Sequence, residues 1–209
     1  GGNYYTCGKI IKCFPEHSTY VEPFGGAASV LLNKAPSPVE VYNDLDRKIT
    51  RLFRVLRDNG EELRRRLTPY SEVEFQDAAQ PADDDIEKAR RDFVRWRQSI
   101  GGRGEGFSFT KHRVRRNMAD VVSGYLSAID EQLPFIIERL RTVQIVCRPA
   151  IEVIQKWDGN NTLVYCDPPY LHSTRNASSR DVYDCEMSEE DHRELADVLN
   201  TCESRVVLS

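Results

Sequence analysis

Thr19-Tyr20-Val21-Glu22-Pro23-Phe24-Gly25-Gly26-Ala27-Ala28 is a short β-prone run that stops at a proline, turns through two glycines and enters a helix-compatible stretch, residues 27–33. Val39-Glu40-Val41-Tyr42 follows as a second strand and ends in the polar pair Asn43-Asp44. Within residues 46–58, Ile49, Leu52, Phe53 and Leu56 recur at helical spacing. Strand, glycine turn, helix, strand, acid, helix is the order of a nucleotide-binding α/β half. The glycines let backbone approach a ligand closely, and a helix N-terminus behind them can meet a carboxylate. An acid at the end of the second strand can accept hydrogen bonds from ribose hydroxyls. Asp44 has a plainer reading as well, as a cap for the helix that follows it.

Outward from this stretch the pattern changes twice. A helix over residues 6–14 precedes it. From about Leu67 the β-α alternation gives way to helical segments at 71–79, 84–99, 119–126 and 127–141. They surround the loop Gly101-Gly102-Arg103-Gly104-Glu105-Gly106, and the block reads as a helical insertion. Alternation returns with a strand at 143–147, a helix at 150–156 and a strand at 162–166. After a loop, Ser188 and Asp191 form a capping pattern for a helix whose apolar run ends near Leu199. Residues 205–208 begin another strand, and a sheet reaching this point is expected to continue in further C-terminal strands. The expected organisation is an α/β domain of two chain segments, 1–66 and 142–209, interrupted by a helical region at 67–141.

Composition narrows the class. The 209 residues are 40 % hydrophobic and 30 % charged, ordinary for a soluble globular protein, and no apolar run is long enough to span a bilayer. The six cysteines form no CxxC pair and no metal-ligand spacing with the four histidines, which predicts reduced thiols and no metal site. Net charge is −4, but residues 86–116 hold ten Lys/Arg against three Asp/Glu, so +7 there opposes −11 elsewhere. That asymmetry suits one segment meeting phosphates. It also suits a solvated helix face whose arginines pair with Asp83, Asp84, Asp85 and Glu87.

Asp167-Pro168-Pro169-Tyr170 follows the strand Leu163-Val164-Tyr165-Cys166 directly, at the carboxyl end where open α/β sheets bind ligands. An aromatic amine is a poor nucleophile because its lone pair is delocalised into the ring. The Asp167 carboxylate and the Pro168 carbonyl can accept from its N–H bonds and favour the pyramidal form. Adjacent prolines hold that carbonyl with little freedom to lose. Tyr170 offers a face for stacking a base taken out of a duplex.

Phe24-Gly25-Gly26, Asn43-Asp44-Leu45-Asp46 and Asp167-Pro168-Pro169-Tyr170 occur in the order seen in Dam-type adenine-specific DNA methyltransferases, and the chain resembles that family over essentially its whole length. Three further stretches share the likeness: Gly1-Gly2 with the following helix, Arg97-Gln98-Ser99, and Glu186-Met187-Ser188 with Asp191-His192. The resemblance implies a Rossmann-like fold dependent on S-adenosylmethionine (AdoMet), with the helical insertion as target-recognition region. It implies methyl transfer to the exocyclic amine of adenine in double-stranded DNA by direct displacement, without a metal. Asp167, Pro168, Pro169 and Tyr170 would be the catalytic set. Glu22, Pro23, Phe24, Gly25, Gly26, Asp44 and Asp167 would contact AdoMet. Arg97, Arg103, Lys111, Arg113, Arg115 and Arg116 are the expected DNA contacts. The setting implied is the cytoplasm of a bacterial, phage or prophage system, with room for a cognate restriction endonuclease. Asn3 stands where the family usually has Lys, and Cys147-Arg148-Pro149-Ala150 lacks the family's acid near the cofactor adenine. Two alternatives remain beside this reading: a cytosine-amine or RNA acceptor, and a non-catalytic DNA-binding remnant.

Overall fold

A computed structural model describes residues 6–169 and 187–209. The chain divides into two compact units. One is Arg51–Arg141; the other is the chain up to Thr50 together with Thr142–Ser209.

The discontinuous unit is built on a parallel sheet. Its strands are β1 (Thr19–Glu22), β2 (Val39–Asn43), β5 (Val143–Val146), β6 (Thr162–Cys166) and β7 (Arg205–Leu208). Their order is β5-β2-β1-β6-β7, and every pairing is parallel. β1, β2 and β6 read as near-continuous apolar runs because both of their faces are covered. On one face Val21, Val41, Val164 and Cys166 pack with Val153 and Ile154 of α8 (Ala150–Lys156) and Leu195 of α9 (Glu189–Thr201). On the other, Tyr20, Tyr42, Leu163 and Tyr165 are buried, and Phe14 meets the rings of Tyr20 and Tyr165. The period of two along each strand sends alternate residues to these two faces. Ser188 accepts from the Asp191 amide while Asp191 accepts from the Ser188 amide, so α9 starts on a reciprocal cap, as its sequence indicates. The short helices α1 (Cys7–Lys12) and α2 (Ser29–Asn33) complete the unit.

The division between units falls inside α3 (Arg47–Arg66), earlier than the boundary at Leu67 read from the sequence. Asn59-Gly60 looks like a helix stop, and Asn59 is indeed non-helical (φ −138°). The helix resumes beyond it, and Gly60 leaves room for close packing: an added Cβ would lie 2.5 Å from the Ile137 side chain. Salt bridges from Arg51 to Asp92 and from Arg54 to Asp85 hold the same helix to α5 (Asp85–Gln98). The second unit therefore comprises the greater part of α3, α4 (Glu72–Asp77), α5, α6 (Asp120–Ser127) and α7 (Leu133–Leu140). Between α6 and α7 the helix widens to a π turn at Ala128–Gln132. Pro134, in the first turn of α7, has no N–H to return to the preceding turn.

The block is not wholly helical. β3 (Val114–Arg115) and β4 (Met118–Ala119) pair antiparallel as a hairpin. Arg116 (φ 53°) and Asn117 (φ 60°) form its turn, both left-handed as a two-residue hairpin loop of this hand demands. Among the described residues no helix is long and apolar enough to cross a membrane.

Candidate functional site

Strand order reverses at the middle of the sheet. The chain passes from β1 to β2 and β5 on one side, then crosses to β6 on the other. The crevice outside the carboxyl ends of β1 and β6 is the switch point at which such sheets bind ligands. Residues 23–28 leave β1 there, and Asp167-Pro168-Pro169 leaves β6. Asp44 follows β2, the neighbour of β1 on the other side. The two glycine- and proline-bearing segments of the sequence thus share one edge. Tyr170 lies outside the described residues.

The turn after β1 is held by three consecutive residues of β2 and its end. The Tyr42 hydroxyl donates to the Gly26 carbonyl (2.7 Å). The Gly25 amide donates to the Asn43 carbonyl (2.8 Å). The Asn43 side-chain amide donates to the Pro23 carbonyl (2.8 Å), and the Gly26 amide donates to Asp44 Oδ2 (2.8 Å). Asp44 Oδ1 accepts from the Asp46 amide, and Asp46 in turn accepts from the Lys48 amide. The cap of α3 is therefore Asp46, and Asp44 faces the glycine turn.

The two glycines have different reasons to be glycine. A Cβ on Gly25 would lie 2.2 Å from Cε2 of Tyr42, so ring packing inside the unit by itself requires glycine at this position. Gly26 has φ 47° and nothing within 4 Å of an added Cβ, so its backbone borders open space. Phe24 is half-buried against the α8–α9 side of the sheet. Glu22, expected among the ligand contacts, is 2 % exposed. Its carboxyl accepts from the Tyr20 hydroxyl (2.8 Å) and the Leu31 amide (3.1 Å), which ties the first turn of α2 to β1. That helix is five residues long, and its third amide is taken by Glu22.

Burial sets the electrostatics of this edge. It pushes the Glu22 carboxyl up to about 8, opposed by the bonds from Tyr20 and Leu31 and assisted by the charge of Asp167. Desolvation also raises Asp44, against the pull of the Asp46 and Gly26 amides, and raises Asp167, against a hydrogen bond with Ser209. Near neutral pH, Glu22 carries a proton for much of the time. Among the described residues no group of three His, Cys, Asp or Glu side chains is arranged to hold a metal.

In the unit Arg51–Arg141 the basic segment separates into two populations. Arg90 pairs with Glu74 and Glu87, and Arg91 pairs with Glu87. Arg95 stacks on the Phe75 ring, and Arg97 donates to the Gly124 carbonyl. These side chains brace α4, α5 and α6. Arg113 pairs with Asp120 and Arg116 with Glu131, both on the hairpin side of the unit and both exposed. Arg103, Lys111 and Arg115 are exposed and make no salt bridge among the described residues. Arg103 sits in a closed loop whose four glycines, Gly101, Gly102, Gly104 and Gly106, all have positive φ. The Gly104 amide donates to Ser99 Oγ and the Ile100 amide to the Gly106 carbonyl, so the loop has a defined shape.

The sequence profile of the D12 class N6 adenine-specific DNA methyltransferases matches residues 1–98 and 109–208. The chain belongs to this family. No curated protein matches it. The D12 class acts on adenine in DNA and needs a methyl donor, so the cytosine and RNA alternatives give way. The match passes over residues 99–108, which are the glycine loop with Arg103. For a D12 class methyltransferase, sequence reasoning overlooked two things. Tyr42 and Asn43 hold the glycine turn; their signal was their place directly before Asp44 at the strand end. The β3–β4 hairpin went unread although Asn117, a residue tolerant of left-handed backbone, marks its turn.

Proposed function

We propose that the protein transfers a methyl group from AdoMet to the N6 amine of adenine in double-stranded DNA, and that the residues at the carboxyl ends of β1, β2 and β6 do this work. The observation that carries the proposal is the meeting of the Gly25-Gly26 turn, Asp44 and Asp167 at one sheet edge. Those residues fit AdoMet. The backbone at Gly26 opens onto free space, and Asp44 and Asp167 are acids suited to a ligand that bears a sulfonium and an ammonium. AdoMet would supply an electrophilic methyl group. Asp44 keeps lone pairs beside the Gly26 amide for ribose hydroxyls. The Asp167 carboxylate and the Pro168 carbonyl accept from the two N–H bonds of the amine and orient its lone pair. Fixed acceptors of this kind act by alignment and preorganised electrostatics. Tyr170 stacks on the adenine once it has left the duplex.

The unit Arg51–Arg141 is proposed to contact DNA through its hairpin and glycine loop. The exposed cations Arg103, Lys111 and Arg115 carry most of this, joined by Arg113 and Arg116 when they leave their carboxylates. Arg97 remains among the proposed contacts, although its guanidinium also donates to the Gly124 carbonyl. A cytoplasmic bacterial or phage setting and a restriction partner agree with this function. Incubating the protein with DNA and labelled AdoMet, then digesting to nucleosides, tests the proposal. It requires label in N6-methyladenine, and absence of AdoMet binding by calorimetry would sink it.

A further inference from the structure

Asn43 is wholly buried at the end of β2 and cross-links three segments of chain at that edge. Its Nδ2 donates to the Pro23 carbonyl (2.8 Å) and to the Arg148 carbonyl (3.0 Å). Its Oδ1 accepts from the Arg148 amide (2.9 Å). Its own carbonyl accepts from the Gly25 amide (2.8 Å). One side chain therefore joins the turn after β1, the end of β2 and the loop between β5 and α8. Cys147 adds a contact from that loop, its thiol facing the Leu45 carbonyl at 3.7 Å.

Only a neutral carboxamide meets this demand. Two of the three partners are carbonyls that need a donor, and the third is an amide that needs an acceptor. Asp offers no donor when ionised, and a shorter side chain leaves three buried backbone groups unpaired. Tyr42 and Asp44 both bond to the glycine turn, and Asp44 also accepts from the Asp46 amide. Asn43 binds two loops that are far apart in sequence.

We infer that Asn43 is a positioning residue for the methyl donor: it fixes the loop at residues 147–149 against the glycine turn, so that the walls on both sides of Asp44 stand ready before the donor arrives. The inference rests on the AdoMet site proposed above. Asn43 does not touch the reacting atoms, and its effect falls on donor affinity. Preorganised walls lower the ordering cost of binding.

The test compares AdoMet affinity by calorimetry, DNA affinity by fluorescence anisotropy and thermal unfolding for wild type, Asn43→Ala and Asn43→Asp. With three backbone partners lost, Asn43→Ala should bind AdoMet at least about tenfold more weakly. Its DNA affinity should stay within about twofold, by the independence of separate sites. Asn43→Asp should bind poorly at pH 8 and recover relative to wild type towards pH 5, where a protonated carboxyl can again donate to one carbonyl and accept from the Arg148 amide. That recovery keeps the inference testable if the alanine variant does not fold. Wild-type AdoMet affinity in Asn43→Ala overturns it. So does a loss shared equally by DNA affinity and folded fraction, and so does a pH-independent defect in Asn43→Asp. A wild-type protein that fails to bind AdoMet overturns the donor site itself, a distinct result visible before any variant is made.

Discussion

Replacing Gly25 with Ala puts a methyl group 2.2 Å from Cε2, 2.6 Å from Cδ2 and 2.9 Å from Cζ of Tyr42, a ring with no exposed surface. The ring cannot rotate away without losing the hydroxyl bond to the Gly26 carbonyl. Overpacking of a full interior costs roughly 1–3 kcal/mol and the lost hydrogen bond about 1 more, so about 2–4 kcal/mol of stability should disappear. Gly25 has no positive φ, so no backbone strain enters the sum. Urea denaturation followed by tryptophan fluorescence gives the loss directly. A double-mutant cycle with Tyr42→Leu isolates its cause. If the ring is the obstacle, Gly25→Ala should cost under about 1 kcal/mol once Tyr42→Leu is present, a coupling of up to about 3 kcal/mol. Gly26→Ala is the contrast. It meets no atom within 4 Å and bears only the strain of its left-handed backbone, about 1–2 kcal/mol. Its methyl group enters the open space assigned to AdoMet, so donor binding should fall while the fold persists. Equal stability loss from Gly25→Ala with and without the Tyr42→Leu change would refute the packing argument.

Three further outcomes are expected. Asp167→Ala should abolish methyl transfer while AdoMet affinity stays within a few-fold; because burial raises the Asp167 pKa, wild-type turnover should decline on acidification at a higher pH than for an ordinary carboxylate, as single-turnover rates across pH would reveal. Glu22 holds its proton to about pH 8 in the folded protein against an ordinary 4.5, so the stability it contributes is complete below about pH 4.5 and is lost as pH rises to about 8; Glu22→Gln should flatten that decline in urea midpoints, and an unchanged slope would contradict the buried-acid account. Arg115→Ala should weaken DNA binding across all sequences and reduce the salt slope by about one, whereas Glu131→Gln, which releases Arg116, should strengthen binding and steepen the slope; salt titrations of both that match wild type would return the hairpin to a purely structural role.

The central half of the fold was legible because its signals are local. β1, β2, β5, β6 and β7 coincide with β-branched and aromatic runs, those of β1, β2 and β6 closed by Pro23, Asp44 and Asp167, and α8 and α9 carry their own apolar stripes, α9 with a cap as well. The order of those runs was enough to bring the glycine turn, Asp44 and Asp167 to one edge, since parallel strands put all their following loops on the same side. What escaped depended on partners distant in sequence. Gly60 lies inside α3 with Ile137 packed against it, whereas the Asn59-Gly60 pair by itself resembles a stop. Gly25 answers to the Tyr42 ring, and Glu22 answers to Tyr20 and Leu31. The local charge of +7 was real but did not reveal that Arg90 and Arg91 are consumed by Glu74 and Glu87. Pairing across elements decides which cations remain for a phosphate, and a count along the chain cannot anticipate it.

The most direct test of the account is nucleoside analysis of DNA incubated with the protein and labelled AdoMet, run beside Asp167→Ala. The account predicts label in N6-methyladenine with the wild-type protein and none with the variant, although both bind AdoMet. Label in cytosine, or equal N6-methyladenine from the Asp167→Ala protein, would contradict it.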